Sequence, residues 1–188
     1  MIPQGLSLQV DVITKEKENE IITYLDSKIW STELSRRTQH YGYQYNYKHK
    51  DLIPGPPLER PILELAQIIE RTELMKPVQC IVNEYYRNQG IAPHIDSLIF
   101  GKTIMSISLG ADVVMNFTYQ DMNYDCFLPR RSAMMITDSA RYEWKHSIAR
   151  TVTYVDSEGN KVIKAQDYRR ISLTYRELVD VLSSKMLL

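Results

Sequence analysis

The sequence lacks the features that mark secreted or membrane-spanning proteins. Among its 188 residues are only two cysteines, Cys80 and Cys126, and both sit in apolar runs, which favours buried, reduced thiols over a disulfide framework. No run approaches the roughly 20 apolar residues that a membrane-spanning helix requires. The N-terminus has neither a basic start nor a long apolar stretch, so we expect no signal peptide. These absences predict an intracellular protein, cytoplasmic or nuclear, without a membrane partner.

Neither sign of charge is in excess, because 23 basic residues balance 23 acidic residues. The whole chain therefore has no field that would draw it to nucleic acid or to a membrane surface, although a local basic patch is compatible with this balance. The sequence also lacks internal repeats and low-complexity segments. Its length suits one domain with a hydrophobic core, and we expect a single domain over residues 1–188 and a monomer.

Apolar spacing predicts two helices in the first 78 residues. The first is capped by Thr14 and runs to about Trp30. Its predicted apolar stripe consists of Ile21, Ile22, Leu25 and Ile29. The second starts at Pro61 and stops before Pro77. Its predicted inward-facing residues are Leu63, Ala66, Ile69 and Leu74.

From residue 79 onward the chain reads as short β-strands separated by Gly, Asn and Asp turns. The predicted strands cover residues 79–86, 103–109, 112–119, 132–137, 143–148, 151–155 and 169–176, with a turn at 156–160. Many strands at short spacing are typical of a β-sandwich or barrel. Together with the two helices, this pattern predicts an α+β fold that is mainly β.

Two of the four histidines fit a metal site. In His94-Ile-Asp96, a strand would place the imidazole and the carboxylate on one face, because residues i and i+2 point the same way. A second imidazole would complete the two-histidine, one-carboxylate set that holds non-haem iron(II) and leaves positions open. His146, on a later predicted strand, is the candidate. A lone strand histidine is more often structural, so the HxD pattern alone is a weak sign of metal binding.

Polar and apolar residues alternate along the last predicted strand. Arg170, Ser172, Thr174 and Arg176 share one face, and Ile171, Leu173 and Tyr175 share the other. A solvated edge strand has the same pattern. If the polar face instead points into a barrel, its two guanidinium groups require anions, and a dicarboxylate supplies two of them in bidentate geometry.

Five ordered blocks resemble the AlkB family of iron(II)- and 2-oxoglutarate-dependent dioxygenases. They are residues 83–96 (Asn-x-Tyr, a glycine, then HxD), 106–110, 128–132, 141–146 and 170–176. The match runs from about residue 36 to 177. Within the family, the sequence most resembles the oxygenase domain of the AlkB homologues that hydroxylate modified wobble uridines in tRNA. These homologues share the motifs Arg-Tyr-x-Trp-x-His and Leu-Pro-Arg-Arg-Ser. The resemblance implies a double-stranded β-helix (jelly roll) over residues 79–178, with helices and a lid in residues 1–78.

The resemblance also implies a role for individual residues. The implied Fe(II) ligands and catalytic centre are His94, Asp96 and His146. The residues implied to bind 2-oxoglutarate are Arg170, Arg176, Asn83, Tyr85 and Ser172. Arg170 would hold the distal carboxylate, and Arg176 would lie near the metal-side carboxylate and brace Asp96. The implied reaction couples oxidative decarboxylation of 2-oxoglutarate to hydroxylation of a C–H bond, and a hydroxylated N-methyl group is then lost as formaldehyde.

Residues 36–50 combine basic and aromatic side chains. Arg36, Arg37, Lys48 and Lys50 bracket Tyr41, Tyr43, Tyr45 and Tyr47, with His40 and His49 among them. Basic groups that meet phosphates and rings that stack on bases are typical of single-stranded nucleic-acid binding, and in the AlkB family this region covers the substrate as a lid. We therefore predict substrate contacts from Arg36, Arg37, His40, Tyr41, Tyr43 and Tyr45. The alternative is a tyrosine-rich strand with alternate rings in the core, and both can hold together.

The sequence thus predicts an oxidoreductase that hydroxylates or demethylates a modified nucleobase in nucleic acid, with RNA (tRNA) ahead of DNA. A DNA-repair role is disfavoured because Ser97–Phe100 lacks the acid that some demethylases carry just after the metal aspartate. Two alternatives stay open. One is the same chemistry on a protein side chain, and the other is a degenerate barrel that serves only as a binding module.

Overall fold

Three helices and thirteen strands make up the part of the chain that the computed structural model describes, residues 1–46, 51–67 and 77–179. The helices are α1 (Lys15–Asp26), α2 (Arg60–Gln67) and α3 (Asp138–Tyr142). The strands are β1 (Leu6–Gln9), β2 (Arg37–Asn46), β3 (Asp51–Pro54), β4 (Gln79–Tyr86), β5 (Ile91–His94), β6 (Phe100–Leu109), β7 (Val113–Tyr119), β8 (Met122–Leu128), β9 (Ala133–Ile136), β10 (Lys145–Ile148), β11 (Thr153–Val155), β12 (Lys161–Ile163) and β13 (Arg169–Leu178). Within these ranges, no helix is long and apolar enough to cross a membrane.

Two antiparallel sheets form the predicted jelly roll. The major sheet has the strand order β1-β9-β6-β13-β4-β2-β3, and the minor sheet has the order β5-β10-β7-β8. β11 and β12 form a separate hairpin, and its turn is the one predicted at residues 156–160. β1 and β2 come from the first 78 residues but belong to the major sheet, so this sheet extends beyond the predicted limits of the jelly roll.

The hydrophobic core has two layers, one on each side of the major sheet. On the outer side, Ile21 of α1 and Ile62 and Leu65 of α2 belong to one buried cluster with Leu173 and Tyr175 of β13. The inner layer lies between the two sheets. Its buried residues include Ile104, Met115, Phe117, Met134 and Trp144. The helices therefore brace the major sheet from outside, and the space between the sheets remains for a site.

The first helix is shorter than the sequence predicted. α1 begins after Thr14, whose hydroxyl accepts a hydrogen bond from the Lys17 amide at 3.2 Å. It ends at Asp26, because the Ser27 amide and hydroxyl both turn back to the Tyr24 carbonyl. The predicted extension to Trp30 is wrong, and Ile29 is 94% exposed instead of lying on the apolar stripe.

The buried face of α2 consists of Ile62, Leu65 and Ala66, which are spaced as one helical stripe. The prediction for Ala66 is therefore confirmed, whereas Leu63 is only half-buried. The predicted inward positions of Ile69 and Leu74 lie outside the described residues.

Two further differences concern the β-rich half. The predicted strand 143–148 begins only at Lys145, because α3 and the buried Trp144 precede it. β8 was not predicted, since its residues alternate tyrosine and cysteine with Asn123 and Asp125, which have low strand propensity. Pairing along all of β7 overrides that propensity. The turn between β7 and β8 contains Gln120 with a φ of 51°.

A buried ion pair ties α1 to the rim of the jelly roll. Glu18 is fully buried, and its carboxylate accepts hydrogen bonds from the Gly110 amide at 2.7 Å and the Arg130 guanidinium at 2.5 Å. Gly110 directly follows β6 and lies in the left-handed region, with a φ of 84°. An added Cβ there would lie 2.5 Å from the Arg169 carbonyl oxygen, so glycine is required at this close approach.

Candidate metal centre and cosubstrate pocket

A cavity of about 380 Å³ lies between the two sheets. β4, β6 and β13 of the major sheet and β5 and β10 of the minor sheet contribute its walls. The predicted polar face of β13 points into it, since all four of its residues line the cavity: Arg170, Ser172, Thr174 and Arg176. The opposite face, Ile171, Leu173 and Tyr175, lies in the outer core. The alternation predicted for this strand is therefore confirmed, and the edge-strand alternative is wrong.

His94, Asp96 and His146 come together at one end of the cavity. His94 of β5 and His146 of β10 are directly paired across the minor sheet, with ring centroids 4.3 Å apart. Asp96 Oδ1 lies 3.9 Å from His94 Nε2. One ligand atom from each residue lies within 4.8 Å of the others. β5 ends at His94, so the strand geometry predicted for HxD covers the histidine only, and Asp96 stands in the loop beyond it.

The electrostatics of this triad suit a metal ion. Burial raises the pKa of Asp96, but the nearby Arg176 guanidinium and the two imidazoles outweigh it and hold the pKa at about 2. Burial lowers the pKa of His146 to about 4. At neutral pH the set therefore consists of an ionised carboxylate and a neutral, ligand-ready His146 imidazole.

Hydrogen bonds to other residues orient the ligand atoms of the triad. His94 Nδ1 lies 2.9 Å from the Ala92 carbonyl oxygen, which fixes the proton there and leaves Nε2 free to bind a metal. Arg176 Nη2 donates to Asp96 Oδ1 at 2.7 Å, so one carboxylate oxygen is braced as the sequence predicted. His146 Nδ1 is buried, and no described residue forms a hydrogen bond with it. Two imidazoles and one carboxylate in this arrangement fit a divalent iron ion.

Arg170 is a buried cation with two unpaired donors. Its side chain is 1% exposed, and Nη2 donates to Ser108 Oγ at 2.8 Å. Its Nε and Nη1 have no partner among the residues that the structure describes, although buried donors are almost always paired. Its guanidinium also lies 5.5 Å from the Tyr85 ring centroid. A carboxylate entering the cavity would satisfy both donors, so Arg170 fits the distal end of a dicarboxylate.

The other predicted cosubstrate residues surround Arg170. Asn83 and Ser172 are paired across β4 and β13, and Arg170 is paired with Tyr85 in the same register. All of these side chains line the cavity. One wall therefore presents an amide, a hydroxyl and a guanidinium side by side, which are the donors that a dicarboxylate requires.

Sequence reasoning missed Ser108 and Gln79. Ser106 and Ser108 recur at alternate positions among the apolar residues 104–109 of β6, and this signal could have placed both hydroxyls on one face of the strand. Gln79 accepts from Arg176 Nη1 at 2.8 Å and donates to the Tyr43 carbonyl. That role follows from the pairing of β4 with β13, which a single sequence does not reveal.

Arg36, just before β2, and Arg37, its first residue, point in different directions. Arg36 lines the cavity, is half-buried, and donates to Asn83 Oδ1 at 2.8 Å. Arg37 is paired with Glu84 across β4 and binds its carboxylate on the outer face of the sheet. Arg37 therefore stabilises the sheet and does not line the cavity.

The remaining predicted substrate residues are also divided. Tyr41 is 4% exposed in the outer core, and its hydroxyl donates to Gln39, as the strand interpretation of this segment predicted. It has no access to the cavity. His40 and Tyr43 are half-buried. Burial, Arg176 and Arg36 all lower the pKa of His40, while Glu33 raises it. The side chain of Tyr45 and residues 47–50 lie outside the described part of the chain.

Comparison with known proteins agrees with this geometry. The profile of the 2OG-Fe(II) oxygenase superfamily matches residues 15–176. The chain is 28% identical over 204 residues to the Xenopus tropicalis protein named tRNA (carboxymethyluridine(34)-5-O)-methyltransferase alkbh8, an AlkB homologue. The chain is an AlkB-like 2OG-Fe(II) oxygenase. It is therefore an oxidoreductase whose cofactors are Fe(II) and 2-oxoglutarate.

Two further proteins are similar to this oxygenase, and their names differ from that of the Xenopus protein. It is 32% identical to uncharacterized protein L905 of Acanthamoeba polyphaga mimivirus, over 93% of this chain and 85% of that protein. It is 28% identical to the DNA N6-methyl adenine demethylase of Caenorhabditis elegans, over 77% and 54% of the two chains. The match to the Xenopus protein covers 94% of this chain but only 32% of that protein.

The solved structure of OsALKBH1 has the same fold. It superimposes on this oxygenase with a TM-score of 0.69, over 94% of this chain and 98% of the other. Sequence identity between the two is 15%. The jelly roll is therefore kept where most of the sequence has changed.

A metal titration tests the triad. We expect one Co(II), used as an oxygen-stable substitute for Fe(II), to bind per chain, and His94→Ala or Asp96→Ala to remove this binding while the circular dichroism spectrum is kept. Each variant loses one of three protein ligands, which an open site cannot replace. His40→Ala is the control, because His40 lies outside the triad. Unchanged Co(II) binding by either ligand variant would contradict the proposed centre.

Proposed function

We propose that His94, Asp96 and His146 hold Fe(II), and that this oxygenase hydroxylates or oxidatively demethylates a modified nucleobase in nucleic acid, with RNA (tRNA) ahead of DNA. The single domain over residues 1–188 carries this activity as a monomer. An intracellular location, cytoplasmic or nuclear, goes with a nucleic-acid substrate, and the two free, buried cysteines fit a reducing compartment.

The charge of the cavity carries this proposal. In the part of the lining that the structure describes, three guanidinium groups (Arg36, Arg170 and Arg176) face one carboxylate, that of Asp96. A divalent iron and the two carboxylates of 2-oxoglutarate cancel each other's charge. The loaded site thus keeps an excess of two positive charges in a chain with no net charge. Such a local field favours a polyanionic substrate such as nucleic acid.

The side chains of the cavity have separate tasks in the reaction. Arg170, with Ser108, binds the distal carboxylate of 2-oxoglutarate, and Asn83, Tyr85 and Ser172 complete its contacts. Arg176 holds Asp96 in its ionised form, as a ligand requires. When bound, Fe(II) and 2-oxoglutarate supply oxidative decarboxylation coupled to hydroxylation of a C–H bond, using O2. The protein itself positions both substrates.

Arg36 is the residue best placed to meet the substrate. It lies on the cavity lining, and its guanidinium is 5.9 Å from the Tyr85 ring centroid. Arg170 lies against the same ring. Because Arg170 is taken by the cosubstrate in this proposal, Arg36 supplies the positive charge for a substrate phosphate or acid. His40 and Tyr43, half-buried on the same strand, are the other substrate candidates.

The names of the relatives support a nucleic-acid substrate. The Xenopus relative is named for a tRNA uridine, and the worm relative for a DNA adenine. The absence of acid in Ser97–Phe100, next to the metal ligand Asp96, disfavours a DNA-repair role and so favours RNA.

Nucleoside mass spectrometry tests the reaction directly. Modified tRNA, mRNA and DNA are incubated with the protein, Fe(II) and 2-oxoglutarate, and their nucleosides are then quantified. We expect a loss of one modified nucleoside, or a gain of 16 mass units for one added oxygen atom, in tRNA before DNA. Asp96→Ala is the control. Turnover on a peptide panel, with none on any nucleic acid, would favour the protein-substrate alternative.

Arg170→Ala tests the cosubstrate role. We expect the Kd for 2-oxoglutarate to rise about 10- to 150-fold, because a lost charge-assisted contact costs about 1.5–3 kcal/mol. Titration of 2-oxoglutarate at fixed Co(II) measures this change. The matched control is Arg169→Ala, since Arg169 binds Asp26 and Glu84 outside the cavity. That variant should lower stability and keep 2-oxoglutarate affinity. An unchanged Kd for Arg170→Ala would make Arg170 a structural residue.

Alanine variants of Arg36 and Arg37 form a matched pair that tests substrate binding. Arg36→Ala should weaken binding of a single-stranded oligonucleotide and reduce the slope of log K against log salt by about one, because one phosphate contact is lost. Arg37→Ala should lower thermal stability and leave that slope unchanged. Fluorescence anisotropy at several salt concentrations gives both values. Equal slopes for wild type and Arg36→Ala would remove Arg36 from the nucleic-acid surface.

A further inference from the structure

The loop that carries Asp96 rests on one buried arginine. Arg141 of α3 is 1% exposed, and its guanidinium donates to four backbone carbonyls. The acceptors are the carbonyl oxygens of Asp96 at 2.9 Å, Ser97 at 2.8 Å, Phe100 at 3.3 Å and Gly101 at 3.4 Å. One side chain therefore binds both ends of the segment 96–101.

This segment needs such a partner because strand pairing does not hold its first half. β5 ends at His94 and β6 begins at Phe100, so Asp96, Ser97 and Leu98 lie between the two strands. The first backbone hydrogen bond to a neighbouring strand is the one that the Ile99 carbonyl accepts from the Val179 amide. Arg176 fixes only the carboxylate of Asp96. A carboxylate held on an unsupported backbone would move, and a metal site tolerates little displacement of its ligands.

We propose that Arg141 is a positioning residue for the metal centre, which holds the Asp96 backbone so that its carboxylate stays beside His94 and His146 before any metal binds. This inference rests on the proposed role of Asp96 as a ligand. Two arginines then hold Asp96 from opposite ends: Arg141 binds its backbone carbonyl, and Arg176 binds its side chain.

The chemistry of Arg141 supports this role over simple packing. Burial lowers the pKa of its guanidinium, and among the described residues it forms no salt bridge that would offset the loss of hydration. An apolar side chain of similar size would fill the same space without this penalty. A guanidinium group differs from such a side chain because its five N–H donors lie in one plane. It therefore holds several carbonyl groups at fixed angles.

The placement of α3 keeps Arg141 in register. The Arg141 amide donates to the Thr137 carbonyl at 3.0 Å, and the Ala140 amide donates to the Gln4 carbonyl at 2.9 Å. α3 also leads directly into Trp144 and β10, which carries His146. The same short helix therefore positions one ligand through the chain and another through hydrogen bonds.

Metal titration of the full chain tests the inference. Co(II) is added to metal-free wild type, Arg141→Lys and Arg141→Met, and its visible absorption reports both affinity and ligand geometry. We expect the Kd for Co(II) to rise about 10- to 100-fold in Arg141→Met, as for other residues that orient metal ligands. Arg141→Lys, which keeps the charge and some donors, should lie between wild type and Arg141→Met. The absorption spectrum should change in both variants.

Arg130→Lys is the matched control, because Arg130 also binds a buried partner, Glu18, and neither residue lines the cavity. It should lower thermal stability and leave Co(II) affinity and spectrum unchanged. Folded Arg141 variants with the wild-type Kd and spectrum would overturn the inference and leave the metal site in place. Wild type that does not bind Co(II) would instead refute the metal site itself, and the inference with it.

If neither Arg141 variant folds, amide hydrogen exchange of the wild type decides the question. Prepositioning requires peptides covering residues 96–101 to be as protected without metal as with Co(II). Marked slowing of exchange in this segment on Co(II) addition would mean that the metal, and not Arg141, orders the loop.

Discussion

The alternation along β13 is the constraint on which both the core and the site depend. Successive residues of a strand point to opposite faces, so Leu173 and Tyr175 pack under the helices while Arg170 and Arg176 enter the cavity. β13 also lies between β4 and β6 in the major sheet. A shift of one residue in its register would bury the arginines under α1 and α2 and expose the apolar residues in the cavity. Fold and chemistry are therefore fixed by the same hydrogen-bonded ladder.

Local charge, and not total charge, decides what this oxygenase can bind. Arg170 and Arg141 are almost completely buried, which is unfavourable unless each guanidinium has acceptors. Arg141 has backbone carbonyls, whereas two donors of Arg170 find no acceptor in the described part of the chain. The unpaired donors of Arg170 indicate where a ligand binds, whereas the paired donors of Arg141 stabilise a loop of the protein itself. A neutral chain can thus contain a strongly cationic cavity.

The sequence predicted those parts of the site that depend on local periodicity. The polar face of β13 followed from its alternation, and the jelly roll and triad from the order of five blocks. Pairing between distant strands was not predictable. The register of β2 on β4 separates Arg36 from Arg37, and places Tyr41 in the core. The early end of β5 and the carbonyl contacts of Arg141 also depend on long-range packing, as does the end of α1 at Asp26.

The metal triad therefore depends on contacts made far from it in the chain. His94 and His146 meet through a cross-strand pair. Asp96 is held by Arg141 and Arg176, which lie 45 and 80 positions after it in the sequence. Arg176 is in turn bound by Gln79, which also binds the Tyr43 carbonyl of β2. A path of hydrogen bonds thus joins the strand that contains the substrate candidates to the carboxylate ligand. Because each link is a single side chain with a fixed partner, the position of the Asp96 carboxylate depends on that of β2 through Gln79 and Arg176.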